Sequence, residues 1–228
     1  MPGKYYSHKL YPFQDEILGK IQSLHTDFYL TGGTALGRCY LDHRYSDDLD
    51  FFVNNHPEFK KQCKVILSCL NHMQYKSKPS MVEESFVRLF VEKEDITLKI
   101  DMVNDVDAHF GRITIQEGFG NIDDWRNILS NKICALSRME PKDYADILFI
   151  ANAYDFDWKE IVAEAKEKDL WVDPIEISRM LRLFPVEQFN SINWINTPNF
   201  QTCEKAFSLI SEDILKGEAN QAKQKIRL

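Results

Sequence analysis

The chain has 228 residues, 28 basic and 35 acidic, for a formal charge of −7. At 44% hydrophobic and 12% aromatic it is too apolar to stay disordered, and its acidity argues against a protein that coats nucleic acid through many phosphate contacts. No apolar run reaches the ~18 residues of a membrane span, and no apolar signal-peptide core is visible near the N-terminus, so a membrane partner is not expected and the cytoplasm is the expected location.

Phe13, Ile17, Ile21 and Leu24 recur at helical spacing after Pro12 and predict an opening amphipathic helix. Residues 28–31 read as a short strand ended by Gly32-Gly33, and residues 35–41 as a short helix with Thr34 as its N-cap. In residues 48–53 Leu49, Phe51 and Val53 fall on one face and Asp48, Asp50 and Phe52 on the other, the alternation of a half-buried strand. A second helix is predicted over 57–73. Residues 85–92 and 96–103 predict two strands joined by Lys93-Glu94-Asp95, the second with Ile96, Leu98, Ile100 and Met102 on one face and Thr97, Lys99, Asp101 and Val103 on the other. Residues 112–116 predict one more strand. Beyond Ile122 the pattern is helical: 125–138, 142–153, 158–168, 174–183 and 200–215, punctuated by Pro141, Pro174, Pro185 and Pro198, with a frayed tail over the last ten residues.

The expected fold is α+β, with a mixed sheet and flanking helices in residues 1–118 and a helical domain packed against it in 119–228. Five scattered cysteines (Cys39, Cys63, Cys69, Cys134, Cys203) are an odd number and suggest reduced thiols, not a disulfide framework. Cys63, Cys69 and His72 share a helical pattern with Phe59, Ile66 and Leu70 and lack a second Cys/His pair, so they read as core helix before zinc site. The four tryptophans, Trp125, Trp158, Trp171 and Trp194, read as packing residues.

Chemistry is concentrated in residues 28–53. Glycines at a strand end let backbone N–H groups approach a bound anion, the following helix start adds a dipole, and Thr34 adds a hydroxyl; together they describe a phosphate cradle. Asp48 and Asp50, one residue apart on a strand, project from one face and repel unless a cation lies between them, which suits Mg²⁺ or Mn²⁺. Asp101 lies on the polar face of a later strand. If the two strands are neighbours, the three carboxylates could hold two metals about 3.5–4 Å apart, the spacing used for in-line displacement at phosphorus. Arg44 and Ser46 precede the acid strand: either could touch phosphate, Ser46 could instead fix the turn, and Arg44 could neutralise the acids when metal is absent. Lys99 shares a face with Asp101, and Arg88 lies on a neighbouring strand. His43 and His109 have no partner at the spacing of a nucleophile triad, and neither a Gly-x-Ser-x-Gly nor a P-loop motif occurs.

Gly32-Gly33-Thr34, then thirteen residues, then Asp48-Leu49-Asp50-Phe51 resembles the signature of polymerase-beta-like nucleotidyltransferases. With Arg44-x-Ser46 ahead of the acids, and with Asn131 to Ile147 (NKICALSRMEPKDYADI) looking like a helical motif, it is similar to the AbiEii/AbiGii toxin family. The resemblance covers roughly the first two-thirds of the chain and implies a sheet domain followed by a helical domain that completes a nucleotide cleft. By the same resemblance, Gly32, Gly33 and Thr34 hold phosphates, Ser46 contacts nucleotide, Asp48 and Asp50 bind both metals, and Asp101 is the third ligand and takes the acceptor proton. Lys132 would reach the triphosphate and Asp143 would position the site. Lys142 stands where the pattern favours Arg, keeping the charge but losing the bidentate fork. Asp143 also suits a helix start by the dipole alone, and Asp146 could pair with Lys142 across one turn.

The implied activity is Mg²⁺- or Mn²⁺-dependent transfer of NMP from an NTP, with two ions, to an acceptor hydroxyl. An RNA or tRNA 3′ end is the first choice; a protein hydroxyl and an aminoglycoside-like sugar stay open. A toxin role with a cognate antitoxin and a monomeric state are expected, and the alternative is a nucleotide- or antitoxin-binding protein with the same fold and little turnover. The base of the NTP and the roles of Lys142, Lys99 and Asp143 are not legible in the sequence.

Overall fold

The computed structural model describes residues 2–73 and 75–228. Chain contacts divide it into two units: Met1–Cys39 with Tyr45–Asp124, and Tyr40–Arg44 with Trp125–Leu228. The expected division at 118/119 differs because residues 120–122 form a sheet strand, and because residues 40–44 are woven into the helical unit.

In the first unit α1 (Pro2–Tyr5) continues through a π turn into α2 (Tyr11–Ser23). Then come β1 (Tyr29–Thr31), α3 (Gly32–Ala35), β2 (Leu49–Asn54), α4 (Phe59–His72), β3 (Lys76–Val82), β4 (Phe86–Lys93), β5 (Ile96–Asp105), β6 (Thr114–Gln116) and β7 (Gly120–Ile122). The seven strands form one mixed sheet in the order β3-β4-β5-β2-β1-β7-β6. The β2–β5 and β1–β7 pairs are parallel and the rest antiparallel.

The alternation read from the sequence has a direct counterpart in burial. Leu49, Phe51 and Val53 of β2 and Ile96, Leu98, Ile100 and Met102 of β5 are all buried, while Asp50 and Phe52 are half-buried on the other face. Ile17, Leu18 and Ile21 of α2 and Phe59, Cys63, Ile66 and Leu70 of α4 supply the helical side of this core. Burying one such side chain contributes roughly 1.5–3 kcal/mol. Cys63 therefore serves the core, and all five cysteines are free thiols.

Four elements depart from the sequence reading. The helix after β1 starts at Gly32, not after Thr34; Thr31 flanks it with extended backbone, and the Thr34 hydroxyl donates to the Asp48 carbonyl oxygen instead of capping. β3 is an edge strand of almost entirely exposed residues with an irregularity between Pro79 and Met81, so it has no apolar face to detect. β7 is only three residues long. The tail expected to fray contains a helical turn, α10, described below.

The second unit is helical: α5 (Trp125–Ala135), α6 (Pro141–Ala153), α7 (Trp158–Lys168), α8 (Pro174–Leu183), α9 (Phe200–Lys216) and α10 (Ala222–Lys225). Asp157, Asp173 and Asn199 cap α7, α8 and α9 by accepting from backbone amides, which places those boundaries where the sequence does. Trp158 is fully buried and Trp125 stacks on Tyr154 at 4.2 Å, so these tryptophans are packing residues. α10 is held because Ala222 is buried and Asn152 Nδ2 donates to the Ile226 carbonyl at 2.8 Å. Residues 40–44 join this unit through a backbone bridge from Arg44 to Trp194 and an Ile195 N–H bond to the His43 carbonyl at 3.1 Å. Among the described residues no helix is long and apolar enough to cross a membrane.

Candidate active site

The registers of four strands place one row of polar side chains across the sheet face opposite the core. Thr31 of β1 pairs with Asp50 of β2, Asp50 with Asp101 of β5, and Asp101 with Arg88 of β4. Directly paired residues on neighbouring strands share a face, with backbones about 4.8 Å apart. The two non-adjacent acid segments therefore meet, as a shared site requires. Asp48 lies just before β2, beside Lys99, which precedes the Leu49–Ile100 pair.

The carboxylates are already engaged by cations. Arg88 donates from Nε and Nη2 to the two oxygens of Asp101, both at 2.7 Å, in a bidentate fork. Lys99 Nζ lies 2.8 Å from Asp48 Oδ2 and 3.6 Å from Asp101 Oδ2. Burial disfavours the charge on Lys99, but Asp48, with Asp101 and Asp50 behind it, holds the ammonium above the ordinary lysine value. The hydrogen bond to Asp101 raises the Arg88 guanidinium in the same sense. Arg44 was one candidate for neutralising the acids; it is paired with Asp146, and Arg88 and Lys99 are the cations on Asp101 and Asp48.

The diglycine bend is shaped by the same acids. Gly32 has φ +66°, which favours glycine, and a Cβ there would stand 2.6 Å from Asp50 Oδ2, so a side chain would be strained and would displace that carboxylate. Thr34 is fully buried and its hydroxyl fixes the backbone of Asp48. Ser46 is also buried; its amide donates to Tyr11 Oη at 3.3 Å and its carbonyl accepts from Gln14 Nε2 at 3.2 Å. With Tyr6 Oη donating to Asp47 at 2.6 Å, the loop before β2 is pinned to the N-terminal helices.

The row extends to a group absent from the sequence reading. Thr31 Oγ1 donates to Asp123 Oδ2 at 2.5 Å, and His109 Nε2 lies 2.9 Å from Asp123 Oδ1, with Asp123 fully buried. His109, which has no partner at triad spacing in the sequence, meets Asp123 fourteen residues on. The signal for Asp123 was its place one residue past a strand too short to recognise.

The donor set fits a hard divalent cation: three carboxylates on one sheet face, two of them in direct register. The oxygens do not converge on a common point; among the described residues no cluster of three His, Cys, Asp or Glu side chains has ligating geometry. Lys99 and Arg88 hold the oxygens of Asp48 and Asp101.

The remaining candidates form a separate cluster in the helical unit. Asp146 is fully buried and accepts from Arg44 Nε and Nη2, both at 2.7 Å. Lys132 Nζ lies 2.8 Å from Asp146 Oδ2 and 2.6 Å from Asp143 Oδ1. His43 Nε2 lies 2.9 Å from Asp146 Oδ1, while its Nδ1 is buried without a partner. Burial opposes the charge on Asp146, yet Arg44 and Lys132 hold its carboxyl well below the usual range. Burial opposes the Lys132 ammonium too, and Asp146 and Asp143 hold it above the ordinary value. Burial lowers His43 despite the pull of Asp146. Asp146, which the sequence offered as a possible partner of Lys142, is the hub of this cluster.

A sequence profile of the family described as "Nucleotidyl transferase AbiEii toxin, Type IV TA system" matches residues 17–200. The fold is similar to a crystal structure from H. pylori whose printed name assigns it provisionally as a nucleotidyltransferase. The two share 19% identity over 92% of this chain and 96% of that one, with a TM-score of 0.59. It is also similar to JHP933 from Helicobacter pylori, at 20% identity over 91% and 93% of the two chains and a TM-score of 0.57. A search of curated proteins found no match. The profile spans most of the chain, from α2 to the start of α9, and includes the glycine bend, the acid strands and the Asp146 cluster: this chain belongs to the AbiEii family of nucleotidyltransferase toxins.

Proposed function

We propose that the sheet unit carries out divalent-metal-dependent transfer of a nucleoside monophosphate from an NTP to an acceptor hydroxyl. The observation that carries this is the in-register pair of Asp50 and Asp101 on the sheet face that also bears Asp48. Asp48, Asp50 and Asp101 would hold Mg²⁺ or Mn²⁺, which supplies charge neutralisation at the triphosphate and eases deprotonation of the acceptor hydroxyl. The backbone amides of Gly32 and Gly33 would meet the phosphates, since the first turn of a helix leaves such donors unused. Arg88 keeps Asp101 oriented. Because both Asp101 oxygens already accept from Arg88, we assign the acceptor proton to solvent instead of to Asp101. The acceptor oxygen bonds to the α-phosphorus as the bond to the leaving pyrophosphate breaks, with positioning and electrostatics carrying most of the effect.

Lys132 and Asp143 enter this proposal as parts of the buried Asp146 cluster, because the Lys132 ammonium is held by two carboxylates. An RNA or tRNA 3′ end is the proposed acceptor. The family's description motivates a cognate antitoxin as the protein counterpart. The test is incubation with each α-labelled NTP, total tRNA and lysate, beside the Asp48→Ala/Asp50→Ala variant. Label should move to acceptor with pyrophosphate release in the wild type only. Equal transfer by the variant would end the proposal, and NTP binding without pyrophosphate release would make the chain a binding module.

A further inference from the structure

Lys99 occupies the place where a cation bridging the two acid segments would sit. It stands two residues before Asp101 on the same face of β5, so the pleat aims it along the acid row, and its ammonium reaches Asp48 at 2.8 Å and Asp101 at 3.6 Å. Together Arg88 and Lys99 bring two positive charges to the three carboxylates. The two cations are not equivalent. Arg88 is a rigid fork with two 2.7 Å bonds to one carboxylate, a geometry that is hard to give up. Lys99 is a point charge on a flexible stem with one close contact; the difference lies in geometry and not in exposure, since both side chains are about equally accessible. A divalent ion entering between Asp48 and Asp101 must move Lys99 and can leave Arg88 in place.

We infer that Lys99 is a positioning residue that competes with the divalent ion for Asp48 and Asp101 and, once displaced, pairs with the polyphosphate of the nucleotide. The inference rests on the metal-dependent reading above and adds an ordering to it. Metal alone binds against a resident cation. Metal with nucleotide binds better, because the displaced ammonium gains a new anionic partner. Metal and nucleotide are therefore coupled through one side chain, and by linkage each strengthens the other equally.

The test measures Mn²⁺ binding to the full chain by the electron paramagnetic resonance signal of free Mn²⁺, with and without a non-hydrolysable α,β-methylene NTP. The proteins are wild type, Lys99→Met, Lys99→Arg and Asp48→Ala/Asp50→Ala. A partly exposed ion pair of this kind corresponds to roughly a two- to fivefold change in affinity once removed. Lys99→Met should bind Mn²⁺ alone tighter by that factor, and the NTP analogue should enhance its Mn²⁺ affinity less than it does in the wild type. Lys99→Arg, which keeps the charge, should stay near wild type in the absence of analogue. Unchanged or weaker Mn²⁺ binding by Lys99→Met, or an undiminished effect of the analogue, would overturn the inference while leaving the metal-dependent reading intact. If no protein binds Mn²⁺ in a way that Asp48→Ala/Asp50→Ala abolishes, the metal-dependent reading fails and this inference falls with it.

Discussion

Asp146→Asn is the perturbation that most directly tests how the helical unit is held together. The change keeps size and shape but removes the charge, and places an NH₂ where an oxygen now accepts. In the native cluster that carboxylate faces Arg44 at 2.7 Å, Lys132 at 2.8 Å and His43 at 2.9 Å, with no exposure. Asparagine takes the Asp146 charge away from the buried Arg44 guanidinium and leaves Lys132 with Asp143. Removing one partner of a buried ion pair costs about 3–5 kcal/mol, because the stranded charge cannot recover its hydration. For a chain of this length a kilocalorie corresponds to roughly 2–4 °C, so the midpoint should fall by about 6–20 °C. Asp143→Asn supplies the internal comparison, since the Asp143 carboxylate is also buried but its ion pair is with Lys132, which keeps Asp146 as a counter-charge; that loss should cost about 1–2 kcal/mol. Urea and thermal unfolding at pH 7 read both variants. The carboxyl of Asp146 is depressed, so its contribution is complete above its unfolded value near 3.9 and is lost only as pH falls through the lower folded value. An Asp146→Asn protein within a kilocalorie of wild type, or no worse than Asp143→Asn, would refute the account of this cluster as an interdependent charge network.

Two other outcomes follow from the same structure. Burial lowers His43, so below about pH 6.5 the unfolded chain binds a proton that the folded chain refuses, and stability falls with pH by up to about 1.4 kcal/mol per unit from this group. His43→Gln should reduce the difference in urea-unfolding free energy between pH 7 and pH 5; an unaltered difference would assign that slope elsewhere. Gly32→Ala meets both a positive φ and the Asp50 carboxylate 2.6 Å from the new methyl, so it should destabilise by about 1–2 kcal/mol and weaken Mn²⁺ binding. Gly19→Ala, in α2 with open space around it, should instead raise the melting temperature, and equal effects at the two glycines would remove the special place given to Gly32.

What the sequence made legible was whatever has a short-range cause. The alternation in β2 and β5 announces itself because one face is apolar and the other carries Asp48, Asp50, Lys99 and Asp101. Helices α7, α8 and α9 begin where a capping Asp or Asn and an apolar stripe coincide. The sequence does not show which strands are neighbours. That β2 lies parallel to β5 with Asp50 opposite Asp101 depends on a crossover through α4, β3 and β4, and no local pattern specifies it. The partners of the buried charges are hidden for the same reason: Asp146 lies 102 residues from Arg44, and Asp123 lies 92 residues from Thr31. Arg44 is the instructive failure. Its closeness in sequence to Asp48 suggested a role among the acids, but the chain detours through residues 40–44 into the helical unit before it returns to form β2.

The motif spacing acquires a structural reading in addition to the proposed phosphate cradle and metal pair. Gly32 is favoured where it stands because its φ is positive and a β-carbon there would push against the Asp50 carboxylate. Thr34 is buried and spends its hydroxyl on the carbonyl of Asp48. Thr31, just ahead of the glycines, is opposite Asp50 and ties β1 to Asp123. The residues of the glycine bend therefore set the position of the acids as much as they present backbone to a ligand. Like charges held in one row repel, and folding must place them there against that repulsion. Arg88 and Lys99 offset that repulsion, one through a bidentate fork and the other through a single close contact; on the proposal above, the second is the cation that leaves. A protein stable with its acids neutralised internally, yet able to exchange one internal cation for an external one, needs unequal cations on the two sides of Asp101. The β4–β5 register and the two-residue spacing within β5 supply that inequality.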